Sequence, residues 1–186
     1  MIVRTTEIED LLLIEPRIHA DQRGYFFESY HSDRYKEAGI PVSFVQDNES
    51  KSVRGVVRGL HYQLEPYSQA KLVRVIDGEV FDVAVDIRKG SPTFGRWFGV
   101  LLSGSNKLQM YILEGFAHGF SVLSESAVFS YKCSSPYNAG AERCIFLSDP
   151  DLAIDWKLGN YEMIISEKDK MAPVLRNAEM NFIFRQ

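Results

Sequence analysis

The segment Lys71-Leu-Val-Arg-Val-Ile-Asp-Gly-Glu-Val-Phe-Asp-Val-Ala-Val-Asp-Ile-Arg88 constrains the fold more than any other. Two runs rich in β-branched residues flank Asp77-Gly78, a strong turn signal. In the second run Val83, Val85 and Ile87 alternate with Asp82, Ala84, Asp86 and Arg88. A period of two with polar alternates predicts a half-buried strand with one wet face. Gly90-Ser91-Pro92 interrupts the pattern, and Phe94 to Leu102 resumes it. After Ser103-Gly-Ser-Asn106, further strands are expected at Leu108 to Leu113, Gly119 to Leu123 and Ala127 to Cys133. Turn signals about every eight to twelve residues favour a sandwich or barrel over alternating βαβ units. Asp33 to Ala38, ending at Gly39, reads as a short helix, and Ser166-Glu-Lys-Asp-Lys170 as a helical turn that stops before Pro173. With no internal repeat and no linker-like tract, the expectation is one mainly β, mostly antiparallel domain over residues 1–186, with short helices toward its ends.

Composition narrows the partners. With 21 Lys+Arg against 25 Asp+Glu the net charge is −4, so no bulk positive field draws nucleic acid or an anionic membrane. An anionic ligand must then be held by a local basic cluster. Cys133 and Cys144 are too few for a disulfide scaffold and lack the spacing of a four-cysteine zinc site. The stretch Met1 to Asp10 is acidic and polar without a signal-peptide arrangement, and the apolar runs fall short of a membrane span. The expectation is a soluble, cytoplasmic protein. Aromatic residues at 12% suit a β-rich interior or a pocket that stacks flat ligands.

Each of the four histidines can be weighed. His19 and His31 lie in polar stretches and read as surface or structural residues. His61 and His118 are flanked by glycine and aromatic residues, an odd setting for a plain surface histidine. A barrel metal site wants a His-x-His pair, but position 63 is Gln, so His61, Glu65 and His118 form an incomplete ligand set and no metal is expected. There is no Gly-x-Ser-x-Gly elbow and no phosphate-cradling glycine loop. General acid–base work remains. His61 has the intrinsic range to take a proton near neutrality. If His61 and Lys71 sit on adjacent strands facing one pocket, one can abstract a proton while the other stabilises the developing charge. Tyr131 and Tyr137 supply phenols or stacking rings, and Arg23, Arg58 and Lys168 could hold a diphosphate. These charges also fit a plain solvated strand edge.

Several motifs go further. Asp21-Gln-Arg-Gly-Tyr-Phe-Phe-Glu28, Phe44-Val-Gln-Asp-Asn-Glu-Ser50, Val56-Val-Arg-Gly-Leu-His-Tyr-Gln63 and Gln69-Ala-Lys-Leu-Val73 resemble the dTDP-4-dehydrorhamnose 3,5-epimerase family. So do Gly78 to Arg88, Ser91-Pro-Thr-Phe-Gly95 and Gly115-Phe-Ala-His-Gly-Phe120, in order from about Ile14 to Pro173.

The resemblance implies a cupin-type jelly roll, a homodimer, no cofactor, and a substrate carrying dTDP on a 4-keto-6-deoxyhexose. It implies inversion at C3 and C5, with His61 as general base, Asp169 as its orienting carboxylate, Lys71 stabilising the enolate and Tyr131 as the acid on the opposite face. Arg23, Glu28, Gln46, Asn48, Arg58, His118, Glu142 and Lys168 would bind substrate, and Tyr137 would stack on thymine. The N-terminal segment bearing Arg23 and Glu28 would complete a neighbouring subunit's site. Two departures from the family pattern are Leu113 where proline is usual, and Pro136-Tyr137 where two tyrosines are usual. A mono-epimerase and a non-catalytic nucleotide-sugar-binding cupin are the rival readings.

Overall fold

The computed structural model describes residues 1–184; Arg185 and Gln186, the end of the expected domain, lie outside the described residues. In chain order the strands are β1 (Ile2–Thr5), β2 (Leu11–Glu15), β3 (Ile18–Asp21), β4 (Gly24–Phe27), β5 (Gln46–Val53), β6 (Val57–Gln63), β7 (Lys71–Asp77), β8 (Glu79–Asp86), β9 (Trp97–Ser103), β10 (Gln109–Ile112), β11 (Phe116–Val122), β12 (Ser126–Cys133) and β13 (Glu142–Cys144). Two short helices, α1 (Ser32–Glu37) and α2 (Glu167–Lys170), fall where Asp33–Ala38 and Ser166–Lys170 predict them. The Ser166 hydroxyl caps α2 by accepting from the Asp169 N–H at 3.1 Å.

The strands form two antiparallel sheets, one ordered β1-β2-β10-β7-β12-β5 and the other β13-β6-β11-β8-β9, with β3-β4 as a separate hairpin. The turn at Asp77-Gly78 carries the chain from one sheet to the other, since β7 pairs with β10 and β12 while β8 pairs with β9 and β11. Gly78 makes that corner at φ +81°, a conformation L side chains rarely adopt.

The crossover corrects the expected wet face of β8. Val80 and Ala84 pack against Val73, Val75 and Phe129 of the opposing sheet. Phe81, Val83, Val85 and Ile87 pack on the other side against Ile145, Leu147, Leu152 and Trp156. The chain that follows β13 thus forms a third layer over the five-stranded sheet, and Asp82 and Asp86 are both 0% exposed. Asp86 is satisfied by Arg88, Ser91 and Thr93, with Arg88 Nε at 3.0 Å and the two hydroxyls at 2.6 and 2.7 Å. A third cluster, Ile14, Tyr35, Ile40, Leu72 and Tyr111, lies where α1 and the following turn cover the outer face of the six-stranded sheet.

Strands β6 and β11 approach closely at Gly59 and Gly119, where the ladder shifts register between His118 and Phe120. A Cβ on Gly119 would stand 2.6 Å from the Arg58 carbonyl oxygen, a backbone atom that cannot move aside alone. We expect Gly119→Ala to destabilise the fold by about 1–3 kcal/mol, read as a lower midpoint in urea; an unchanged midpoint would mean that the two strands separate without cost.

Candidate active site

The inner faces of the two sheets turn polar at one end of the sandwich. From the five-stranded sheet, His61 on β6 stands directly opposite His118 on β11 in the ladder. From the six-stranded sheet, Tyr131 on β12 lies between Asn48 on β5 and Val73 on β7, and Lys71 on β7 pairs with Cys133. His61 and Lys71 therefore belong to different sheets, not to adjacent strands of one sheet, and meet across the interior, with Lys71 Nζ 3.5 Å from the His61 carbonyl oxygen.

Two cavities of about 160 and 150 Å³ share His61, Lys71 and Tyr131 as lining. Gln46, Asn48, Tyr137 and Glu142 line the first, Arg58 and His118 the second. A larger hollow of about 620 Å³ is walled by hairpin residues alone, among them Arg23, and brings no such set of groups together.

Each histidine is bound to its own buried carboxylate. His61 Nε2 lies 2.6 Å from Asp169 Oδ1, which α2 brings in from 108 residues away. Burial alone would raise the Asp169 pKa, but hydrogen bonds from His61, the Ser166 hydroxyl and the Gly59 N–H hold it below the ordinary carboxylate range. His118 Nε2 lies 2.9 Å from Asp82 Oδ1, and its ring stacks on Phe129 at 6.0 Å. Burial pushes the Lys71 ammonium below the usual lysine range, and the carboxylates of Asp82 and Glu142 partly oppose that fall. Burial likewise raises the Tyr131 phenol, with Arg58 opposing. A proton acceptor, a half-buried lysine and a phenol that keeps its proton thus face one space. Such a set can take a proton from carbon, stabilise an oxyanion and return a proton.

At the mouth, Tyr137 donates to Glu142 at 2.8 Å, and Glu142 also pairs with Lys168. Donation to that carboxylate pushes the Tyr137 phenol up, and although burial opposes it, Lys168 and Tyr137 hold Glu142 below its ordinary value. Of the residues singled out in the sequence, Arg23 and Glu28 stay apart. The Arg23 side chain is 90% exposed and paired with Asp21, and Glu28 is paired with Arg34. Asp82, Gln69 and Cys133 join the site without having been singled out, and Gln63, read only as the residue that breaks a metal-binding pair, lines the first cavity. The signal for Asp82 was present, an acid within an apolar strand, but it reads as solvent-facing until both faces of β8 are seen to be covered.

The model of the dTDP-4-dehydrorhamnose 3,5-epimerase family matches residues 5–177. The dTDP-4-dehydrorhamnose 3,5-epimerase of Shigella flexneri is 56% identical over 170 residues, covering 91% of this chain and 93% of that protein. The dTDP-4-dehydrorhamnose 3-epimerase of Streptomyces niveus is 43% identical over 179 residues, 96% of this chain and 86% of that protein. The crystal structure of the Legionella pneumophila dTDP-6-deoxy-D-glucose-3,5-epimerase, in complex with dTDP-4-keto-L-rhamnose, superposes with a TM-score of 0.91 at 55% identity, covering 94% of this chain and 93% of that one.

The lowered pKa of Asp169 predicts a pH dependence of stability. Because its folded value lies below the unfolded one of about 3.9, its contribution is complete above that value and is lost as pH falls through the folded value. We expect Asp169→Asn to cost about 1.5–3 kcal/mol at neutral pH. In urea denaturation across pH, the gap to the wild type should narrow below about pH 4. A gap that stays constant to the lowest accessible pH would exclude the ionised carboxylate as its source.

Proposed function

The chain belongs to the dTDP-4-dehydrorhamnose 3,5-epimerase family, a family of isomerases, and from that premise we propose that it inverts both C3 and C5 of dTDP-4-dehydro-6-deoxy-D-glucose by proton transfer alone. The observation that carries this reading is the short His61–Asp169 contact, set across one cavity from Lys71 and Tyr131. With Nε2–H donated to Asp169, Nδ1 of His61 is left with a lone pair to act as base. A hydrogen beside a ketone is far less acidic than imidazolium, and each pKa unit of mismatch costs about 1.4 kcal/mol. Removal becomes feasible when the C4 oxygen meets Lys71 as the enolate forms. Tyr131 then delivers its proton to the opposite face, and the configuration inverts. C3 and C5 both flank C4, so one enolising ketone serves both centres.

Gln46, Asn48, Arg58, His118, Glu142 and Lys168 bind the remainder of the substrate in this reading, and Tyr137 stacks on thymine. Arg23 and Glu28 act in a neighbouring subunit of a homodimer. The support is the β3-β4 hairpin, which stands apart from both sheets and exposes Tyr25 at 59% and Phe26 at 71%. No helix of the described residues is long and apolar enough to cross a membrane, and a cytoplasmic setting suits a nucleotide-sugar enzyme.

A second reading has its own support: a 3-epimerase of Streptomyces niveus is among the relatives, so inversion at one carbon alone is compatible with this framework. Incubation of the dTDP-4-keto sugar in D2O, followed by NMR of the product, separates the readings. Deuterium at C3 and C5 with both centres inverted supports the first, one labelled centre the second, and tight binding without exchange a non-catalytic cupin.

His61→Ala should lower exchange at both carbons by about 10²–10⁴-fold, and wild-type exchange at either carbon would remove His61 as the shared base. Tyr131→Phe should separate deprotonation from inversion. Deuterium should still wash into the sugar while inverted product forms far more slowly, because the enolate is reprotonated from the base's own face. If exchange and inversion fall in parallel, Tyr131 orients or packs and the acid lies elsewhere.

A further inference from the structure

Gln63 stands where a metal-binding barrel would complete its His-x-His pair, one pleat beyond His61 on the same face of β6, and its amide is turned away from open solvent. The side chain is buried, at 4% exposure, and its amide is turned on two loops at the mouth of the site. Its Nε2 donates to the Tyr67 carbonyl at 2.6 Å and to the Pro136 carbonyl at 3.3 Å. Its Oε1 accepts from the Asn138 N–H at 2.7 Å. Residue 137 is thus bracketed by hydrogen bonds from one amide to its two chain neighbours. Two further glutamines hold the same loop: Gln46 Oε1 accepts from the Tyr137 N–H at 2.9 Å, and Gln69 Nε2 donates to the Ser135 carbonyl at 2.7 Å. The Tyr137 ring itself is 56% exposed and makes one side-chain hydrogen bond, to Glu142. Its backbone is therefore held from both sides, and beyond that the ring has the Glu142 contact.

We infer that Gln63 is a positioning residue for nucleotide binding, holding the loop of residues 134–138 so that the Tyr137 ring is fixed over the mouth before the ligand arrives. This rests on the stacking role proposed for Tyr137. A ring that is already placed loses less freedom on binding, so the clamp acts on affinity rather than on chemistry. Glutamine suits the task because a carboxylate would set a negative oxygen against two carbonyls, and an apolar residue would leave two carbonyls and one N–H without this partner.

The test is calorimetric titration of dTDP into the wild type, Gln63→Leu, Tyr137→Ala and the double variant, with steady-state kinetics on the same proteins. Gln63→Leu should weaken dTDP by about tenfold or more and raise KM by a larger factor than it lowers kcat. The double variant should bind no more than about twofold more weakly than Tyr137→Ala, because both changes remove the same contact. Wild-type affinity in Gln63→Leu beside weak binding by Tyr137→Ala strikes Gln63 alone. Additive losses overturn the inference too, since Gln63 would then touch the nucleotide independently. Wild-type affinity in Tyr137→Ala strikes the stacking role, and this inference with it. Should Gln63→Leu fail to fold, Gln63→Glu decides. Its affinity relative to the wild type should improve as pH falls and the carboxyl regains a proton to donate, and a ratio constant with pH overturns the clamp.

Discussion

A charge placed between two β-sheets needs a partner within hydrogen-bonding reach, and the whole active end of this sandwich is arranged around that requirement. Asp82 and Asp169 are almost wholly buried, and each lies against a histidine on β6 or β11. Lys71 enters from the other sheet as the balancing cation, close enough to Asp82 and Glu142 for both to support its charge. Removing His61 would leave the buried Asp169 carboxylate without its nearest side-chain partner, and removing His118 would do the same to Asp82. The polar residues are thus held in place by their mutual electrostatics.

That arrangement needs β8 to be buried on both faces. One face, with Val80, Asp82 and Ala84, looks across to β7 and β12, while the other is roofed by the chain that follows β13. The same following chain supplies α2 and therefore Asp169. The layer that hides the back of the five-stranded sheet and the carboxylate bonded to His61 are one continuous piece of structure.

Much of this was legible in residues and some of it was not. The strands from Lys71 to Cys133 announced themselves through alternating β-branched residues, and α2 through the Ser166 cap and the Pro173 stop. His61 stood out by its glycine and aromatic neighbours. Strand β5 did not, because Gln46-Asp-Asn-Glu-Ser-Lys-Ser-Val53 is polar on both faces: one side lines a cavity and the other is exposed, so there is no apolar period to read. The hairpin of β3 and β4 was hidden for a related reason, since nearly all of its residues are exposed in the single chain. Sheet membership was also beyond reach, because Asp77-Gly78 looks the same whether the next strand folds back or crosses over. That ambiguity is why the sequence left open whether His61 and Lys71 lie on adjacent strands; they are found face to face on opposite sheets.

The crossover at Gly78 has a consequence for how the molecule comes into being. It sends β7 and β8 into opposite sheets, and the strands from β9 to β13 alternate between the sheets likewise, so partners in the site come from far apart along the chain. His61 and Asp169 are separated by 108 residues, and Asn48 and Cys133 by 85. Contacts of that span form slowly, since loop closure must precede the interactions that reward it. A half-folded chain can therefore hold most of its strands and still have no site. The candidate site is complete only when the two sheets face each other and α2 is docked against β6, so binding at that site would report complete folding.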